Sequence, residues 1–251
     1  LFPYTTLFRS LLINNLRKNM GPTLSSELPR ASLSEGVPKT SKKETVFILD
    51  WDDTLMCTSF MKLKLQHLSE SEKNLILNLG KIVSDFLTHC QEYGKIIILT
   101  NSTQKWVNKT AKEYLGLGDL SEKNIKIIST RDKYFKKGLD IKNWKELALN
   151  EIINKYKDKI ENLICASDSE KDINTFKQIM HKNKAMNIST IKFKRKPSPL
   201  IMEKEIKYLL ENINSIIGTN KNYYLMKEKK EKDLEEFNFH FGNLFDYIFP
   251  N

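Results

Sequence analysis

The sequence predicts an α/β fold, a Rossmann-like doubly wound parallel sheet, from three observations. Short apolar runs of strand length recur, opening at Val46 and then at 95–100, 125–129, 162–167 and 188–193, and each reads as a strand buried on both faces. Between them lie stretches with helical spacing, as in Leu75, Leu79, Ile82 and Phe86. Chemically active residues gather just past the ends of the runs, where an alternating β and α chain builds its sites.

Each element follows in order. Leu1 to Ser10 spell the in-frame translation of a sequencing adapter, so 1–19 are set aside as adapter and leader, with Met20 the natural start. The alternative is that the true N-terminus is missing upstream. Residues 20–43, rich in Ser, Pro and Gly without sustained periodicity, read as a flexible lead-in. The core is expected over 44–196: the first strand, a flap at 55–69, then helix 70–93, strand 95–100, helix 103–115, strand 125–129, helix 143–157, strand 162–167, helix 170–181 and strand 188–193. These units fill the chain and leave no room for a large cap domain. Residues 197–251 read as a C-terminal helical extension carrying Ile201, Ile206, Leu209, Leu210, Ile213, Ile216 and Ile217. Within it, Lys227 to Glu236 reads as a solvated helix face and Phe237 to Phe241 as an aromatic anchor.

The run Val46-Phe47-Ile48-Leu49-Asp50-Trp51-Asp52-Asp53-Thr54-Leu55 is the richest in chemistry. It delivers three carboxylates to the end of a buried strand, a costly arrangement unless a cation or altered pKa values relieve it. In a plain extended strand Asp50 and Asp52 share a face, because the side-chain period is two. Three further signals follow: Lys95 to Ser102 ends a strand at Thr100, Lys145 opens a helical pattern after Trp144, and Asn162 to Asp172 ends a strand in the acids Asp168 and Asp172.

In this order the motifs resemble those of the haloacid dehalogenase (HAD) superfamily of phosphohydrolases, over roughly residues 44–195. Asp-Trp-Asp-Asp-Thr-Leu at 50–55, Ile128 to Asp132 before Trp144-Lys145, and Lys192 to Pro197 also resemble a little-characterised group of HAD-like proteins from protists and plants. The resemblance implies a magnesium-dependent phosphomonoester hydrolase. In it Asp50 attacks phosphorus to form an aspartyl-phosphate, and Asp52 protonates the leaving oxygen and later deprotonates the hydrolytic water. Magnesium, a hard cation, is implied on Asp50, the backbone carbonyl of Asp52, and Asp168, with Asp172 supporting the metal through water or orienting Lys145. Thr100, the amide of Asn101 and Lys145 are implied as phosphate ligands. Asp52 favours phosphoryl transfer, because dehalogenation does not need it. Asp53 stands where glycine is commoner and reads as a turn cap; the alternative is that it raises the pKa of Asp52. A capless site implies a macromolecular substrate, a phosphoprotein or nucleic-acid end, since a bulky substrate itself excludes water. Two alternatives stay open: a small-metabolite phosphatase with the C-terminal helices as lid, and a non-catalytic scaffold.

Two lookalikes do not fit. Phospho-acceptor receiver domains place their motifs in another order, and cyclases with an Asp-x-Asp-Asp motif are all-helical. The net charge of +10 falls to +7 without residues 1–19, which hold Arg9, Arg17, Lys18 and no acids. With so much Lys, Asn and Ile, that charge reads as coding bias rather than a nucleic-acid footprint. Cys57, Cys90 and Cys165 form no Cys-x-x-Cys pair, which argues for a reducing cytoplasm or nucleus. The four histidines show no ligand-like spacing, and no apolar run reaches membrane-spanning length.

Overall fold

The computed structural model divides into Leu1–Thr40 and Ser41–Asn251. It describes residues 44–64, 68–156, 159–182 and 186–225 of the second unit. The adapter and leader reading, the lead-in, the charged run at 227–236 and the Phe cluster all lie outside the described residues.

Six strands form one all-parallel sheet: β1 (Glu44–Leu49), β2 (Gly94–Thr100), β3 (Lys126–Ser129), β4 (Ile160–Ser167), β5 (Asn187–Lys192) and β6 (Asn222–Tyr224), in the order β3-β2-β1-β4-β5-β6. The chain therefore winds outward from β1 to β3, returns to the centre, and winds outward again from β4. That reversal makes the β1/β4 crevice the switch point, where ligands of such sheets bind. The central strands are buried on both faces, as their uninterrupted apolar runs require.

Among the described residues seven helices flank the sheet: α1 (Thr58–Lys64), α2 (Glu70–Tyr93), α3 (Gln104–Glu113), α4 (Thr130–Tyr134), α5 (Trp144–Tyr156), α6 (Glu170–Lys182) and α7 (Pro199–Ile216). Two single-turn 3-10 segments, Phe135–Lys137 and Ile141–Asn143, lie between α4 and α5. Helix α2 starts at a capping box, in which Ser69 accepts from the Glu72 amide and the Glu72 carboxylate accepts from the Ser69 amide. It runs straight into β2 through Gly94, where a Cβ would lie 1.8 Å from the Thr45 carbonyl oxygen, so only glycine lets the two backbones meet. Helix α7 begins at Ser198 with Pro199 in its first turn.

One apolar layer joins Phe47, Leu49, Ile96, Ile98, Ile164 and Ile191 to helices α2, α3 and α7. The other joins Val46, Ile48, Ile97, Leu99, Leu163 and Ile188 to α5 and α6. The crossovers β1-α2-β2 and β4-α6-β5 step in opposite directions with helices on opposite faces, so they share one hand. The crossover β5-α7-β6 steps the same way as β4-α6-β5 but lays its helix on the other face, and has the uncommon hand. Residues 199–216, part of the expected helical extension, thus close one face of the sheet.

Candidate active site

Strand β1 stops at Leu49, and Asp50 adds one more rung by donating its amide to the Ala166 carbonyl at 2.9 Å. The chain then turns sharply, with the amides of Thr54, Leu55 and Met56 all donating to the Trp51 carbonyl. Asp53 sits inside this turn at φ 53°, a left-handed conformation that costs a non-glycine residue roughly 1 kcal/mol. Its carboxylate compensates by accepting from the Ser59 amide at 2.8 Å and from the Ser59 hydroxyl at the start of α1. Burial raises its pKa above the usual carboxylate value. Thr54, fully buried, accepts from the Asp168 amide at 3.0 Å and ties the β1 turn to the β4 turn.

Asp50 is buried and fixed on both oxygens. Oδ1 accepts from the Trp51 amide at 2.8 Å; Oδ2 accepts from Lys145 Nζ at 2.6 Å and from the Ser167 hydroxyl at 3.2 Å. Burial pushes its pKa up to about 6, partly offset by the Lys145 ammonium. Lys145, in the first turn of α5, also donates to Asp172 at 2.5 Å. Burial alone would lower the lysine pKa, but the Asp50 and Asp172 carboxylates outweigh it and hold the ammonium above its ordinary value. Asp172 lies in the first turn of α6, where the helix dipole favours negative charge, and takes a further bond from Ser167 at 2.8 Å. Ser167, the last residue of β4, therefore bridges the two carboxylates.

Asp52 is held by a different set of donors. Oδ1 accepts from the Thr58 hydroxyl at 2.6 Å and from the Trp106 indole at 3.0 Å; Oδ2 accepts from the Ser102 hydroxyl at 2.6 Å and more distantly from Thr100 at 3.4 Å. Thr100 ends β2, and its carbonyl accepts from Thr130 at 3.1 Å. Asn101 follows it, with its side-chain oxygen accepting from the same Thr130 hydroxyl at 2.5 Å and its carbonyl from Arg131 at 3.3 Å.

A cavity of about 250 Å³ opens here, lined by Asp50, Asp52, Asp53, Thr100, Asn101, Lys145, Asp168 and Asp172, with Ile141, Lys142, Glu146, Ser169, Lys171 and Thr175 around them. All the residues singled out from the sequence therefore line one space, although they come from four segments of the chain. Sequence reasoning missed Ser167, Ser102, Thr58 and Ser59, whose hydroxyls hold the carboxylates. Trp51, between the two acids, is fully buried, its indole donating to Thr110 at 2.9 Å. Lys105 and Arg131 do not border the cavity.

Six carboxylates, of Asp50, Asp52, Asp53, Glu146, Asp168 and Asp172, line the cavity against three lysines, Lys142, Lys145 and Lys171, of which only Lys145 is buried, so the space favours a cation. Asp168 records the imbalance: burial, then the Asp50 and Asp53 carboxylates, push its pKa up to about 7. Among the described residues no three acidic or other ligating side chains are gathered into a metal site by themselves. The oxygen donors nevertheless fit magnesium, which takes one or two carboxylates and completes its shell with carbonyl, water and phosphate oxygen.

Residues 45–155 match a family model described as NLI interacting factor-like phosphatase, a HAD-like phosphatase family. The matched stretch runs from β1 through α5 and includes Asp50, Asp52, Thr100 and Lys145. No curated protein and no solved structure matches the chain.

Proposed function

We propose, from the match of residues 45–155 to an NLI interacting factor-like phosphatase model, that this chain is a HAD-superfamily phosphatase that hydrolyses phosphomonoesters through an aspartyl-phosphate on Asp50, with magnesium, acting on a phosphorylated macromolecule. The observation that carries the reading is the pairing of Asp50 and Asp52 in one cavity with opposite restraints. Asp50 is locked by Lys145 and Ser167 with its carboxylate at the mouth of the β1/β4 crevice, and Asp52 is held apart by Thr58, Ser102 and Trp106. In-line attack needs a fixed nucleophile and a separately held acid.

Asp50 attacks phosphorus as the carboxylate. Lys145 keeps its side chain aimed and provides positive charge beside the equatorial phosphoryl oxygens, which Thr100 and the Asn101 amide also border. Asp52 gives its proton to the leaving oxygen and then accepts one from the water that cleaves the acyl phosphate. Asp50, the Asp52 carbonyl and Asp168 would hold magnesium, which when bound offsets the repulsion between nucleophile and phosphate. Asp172 serves through Lys145 and Ser167, as its hydrogen bonds indicate.

The size of the cavity supports a macromolecular substrate. At about 250 Å³ it falls below the roughly 300–1,000 Å³ of sites that enclose a small ligand, so it suits a phosphorylated side chain or chain end whose remainder stays outside. None of the described residues of α7 or β6 lines it, which gives the lid alternative no support among them.

The test is hydrolysis of p-nitrophenyl phosphate with and without magnesium by the protein and by Asp50→Asn. Metal-dependent turnover that disappears in the variant while the circular dichroism spectrum is unchanged is the expected result. Equal turnover by Asp50→Asn overturns the mechanism.

A further inference from the structure

The segment from Phe135 to Leu147 forms the wall beside the cavity, and its surface is unusual in composition. Four of the nine large apolar side chains exposed among the described residues fall within it: Phe135 (66 %), Ile141 (48 %), Leu139 (41 %) and Leu147 (37 %). The clustering is not a loose loop. Trp144, buried at the start of α5, donates its indole to the Leu139 carbonyl at 2.9 Å, and its ring meets Phe135 edge to face with centroids 6.5 Å apart. Asp140 caps the Ile141–Asn143 turn by accepting from the Lys142 amide. These contacts fix the backbone that carries Phe135, Leu139 and Ile141, and exposed apolar side chains gathered on one short segment mark an interaction site.

Charge gives the partner its chemistry. Over 130–147 the cations Arg131, Lys133, Lys136, Lys137, Lys142 and Lys145 outnumber the anions Asp132, Asp140 and Glu146 by six to three. Lys145 is committed to the cavity and Lys133 to Glu151, whereas Lys136 and Lys142 make no ion pair among the described residues. Ile141 and Lys142 also line the cavity, so the platform is continuous with the place where phosphate would sit.

We infer that the Phe135–Leu147 platform docks the residues flanking the phosphorylated side chain of a protein substrate, taking an apolar residue against Phe135 and Leu139 and an acidic one beside Lys136. The inference rests on the phosphatase reading and assigns its substrate class: phosphopeptide segments with apolar and acidic neighbours. An anionic bilayer fits less well, because Asp132, Asp140 and Glu146 stand among the lysines and the patch is confined to one wall of a cleft.

Binding of fluorescein-labelled phosphoserine and phosphotyrosine peptides to the Asp50→Asn protein tests docking without turnover. One peptide of each kind carries Leu and Glu within three residues of the phosphate; its match carries Gly and Lys. The Leu/Glu peptide is expected to bind at least tenfold tighter, and Phe135→Ser/Leu139→Ser in the same background should remove that preference. In the otherwise unaltered protein the double change should leave p-nitrophenyl phosphate turnover unmoved, and Lys136→Glu should weaken only the Leu/Glu peptide. Equal affinity for the matched peptides, or a preference that survives the double change, overturns the docking surface. Sedimentation with phosphatidylserine vesicles that the double change abolishes, with peptide binding unmoved, overturns it in favour of a membrane. Absence of p-nitrophenyl phosphate turnover alongside the expected peptide preference counts against the catalytic reading and for the docking surface.

Discussion

At the scale of single residues, the site depends on hydroxyl and indole donors that hold carboxylates in place. Trp106 donates its indole N–H to Asp52 at 3.0 Å. Trp106→Phe keeps the ring's bulk and removes that bond, while Thr58 and Ser102 remain. A hydrogen bond to a charged group contributes about 1.5–3 kcal/mol, so kcat is expected to fall about ten- to a hundredfold with KM little changed; steady-state kinetics on p-nitrophenyl phosphate decide it, and a rise in KM at constant kcat would reassign Trp106 to substrate binding. Lys145 is a sharper case, because Lys145→Met leaves Asp50 and Asp172 buried without their cation. Breaking a buried pair in this way costs about 3–5 kcal/mol near neutral pH. In the variant the raised folded pKa of Asp50 loses the opposing Lys145 charge, so its penalty is full above that folded value and vanishes below the unfolded one. The lysine's own stabilisation, with its folded pKa raised, is complete throughout that range and lost only at alkaline pH. Urea melts should therefore show a large gap between the two proteins at pH 8 that narrows at pH 5; a constant gap would refute the charge argument. Thr58, Ser102 and Ser167 were not legible in the sequence, because hydroxyls are commonplace and only convergence in space singles them out. The acids were legible because charge at the end of an apolar strand is rare; Lys145, at the start of a helix, was legible only through its place in the order of the motifs.

At the scale of elements, the strands and long helices could be read from the sequence wherever burial imposes a period. Helix 70–93 and the strands at the centre of the sheet lie where the apolar pattern puts them, since each is packed on neighbours that demand it. Strand β6 was missed: Asn222–Tyr224 is short, polar and at the edge, and its existence rests on pairing with Thr190, Ile191 and Lys192. The 3-10 platform before α5 was missed for a similar reason, since its shape is set by the Trp144 indole reaching Leu139 rather than by local propensity. Helix α7 carries an odd choice in its buried face, Glu205, 3 % exposed, with one oxygen accepting from the Lys194 amide at 2.8 Å and the other without a hydrogen-bond partner among the described residues. Burial pushes its pKa up to about 7, against 4.5 for an ordinary glutamate, with the Lys194 amide and the Lys194 and Lys192 charges opposing. Below the unfolded value both states are protonated and the group costs nothing. As pH rises from there to about 7 the unfolded chain ionises first, so stability is lost, and the loss is complete above about 7. Glu205→Gln keeps the bond to Lys194 and should raise stability at pH 8 by an amount on the order of 3 kcal/mol, given about 1.4 kcal/mol per pKa unit, with no gain at pH 4. Thermal melts at the two pH values measure it, and an equal effect at both would assign the change to packing instead.

At the scale of the whole molecule, the candidate site occupies one end of a sheet whose two faces are closed by different parts of the chain. The face that bears α2 and α3 is completed by α7, which follows the last site residue by more than twenty positions and returns through a crossover of the uncommon hand. A sequence pattern shows that α7 is amphipathic but not which face of which sheet it covers, so the same residues read equally as an extension or a lid. The buried positions decide between those readings. Met202, Ile206, Leu209, Ile213 and Ile216 are each 2 % exposed or less and lie in one core with Phe47, Leu49 and Ile191. At roughly 1.5–3 kcal/mol for each apolar side chain buried, their loss would remove about 8–15 kcal/mol of gross stabilisation, comparable with the whole stability of a domain. Deletion of residues 197–251 is therefore expected to unfold the protein, seen as loss of near-ultraviolet circular dichroism and of a cooperative melt. A second variant separates this from a mere intolerance of truncation: Ile206→Ala/Leu209→Ala in the full chain should lower stability by about 4–10 kcal/mol, from about 2–5 for each large-to-small change in a core. A deleted protein that still melts cooperatively and cleaves bulky phosphopeptides faster would make α7 a lid after all, because only a helix that rests on the site, and not on the core, can be removed with gain of access and without loss of fold.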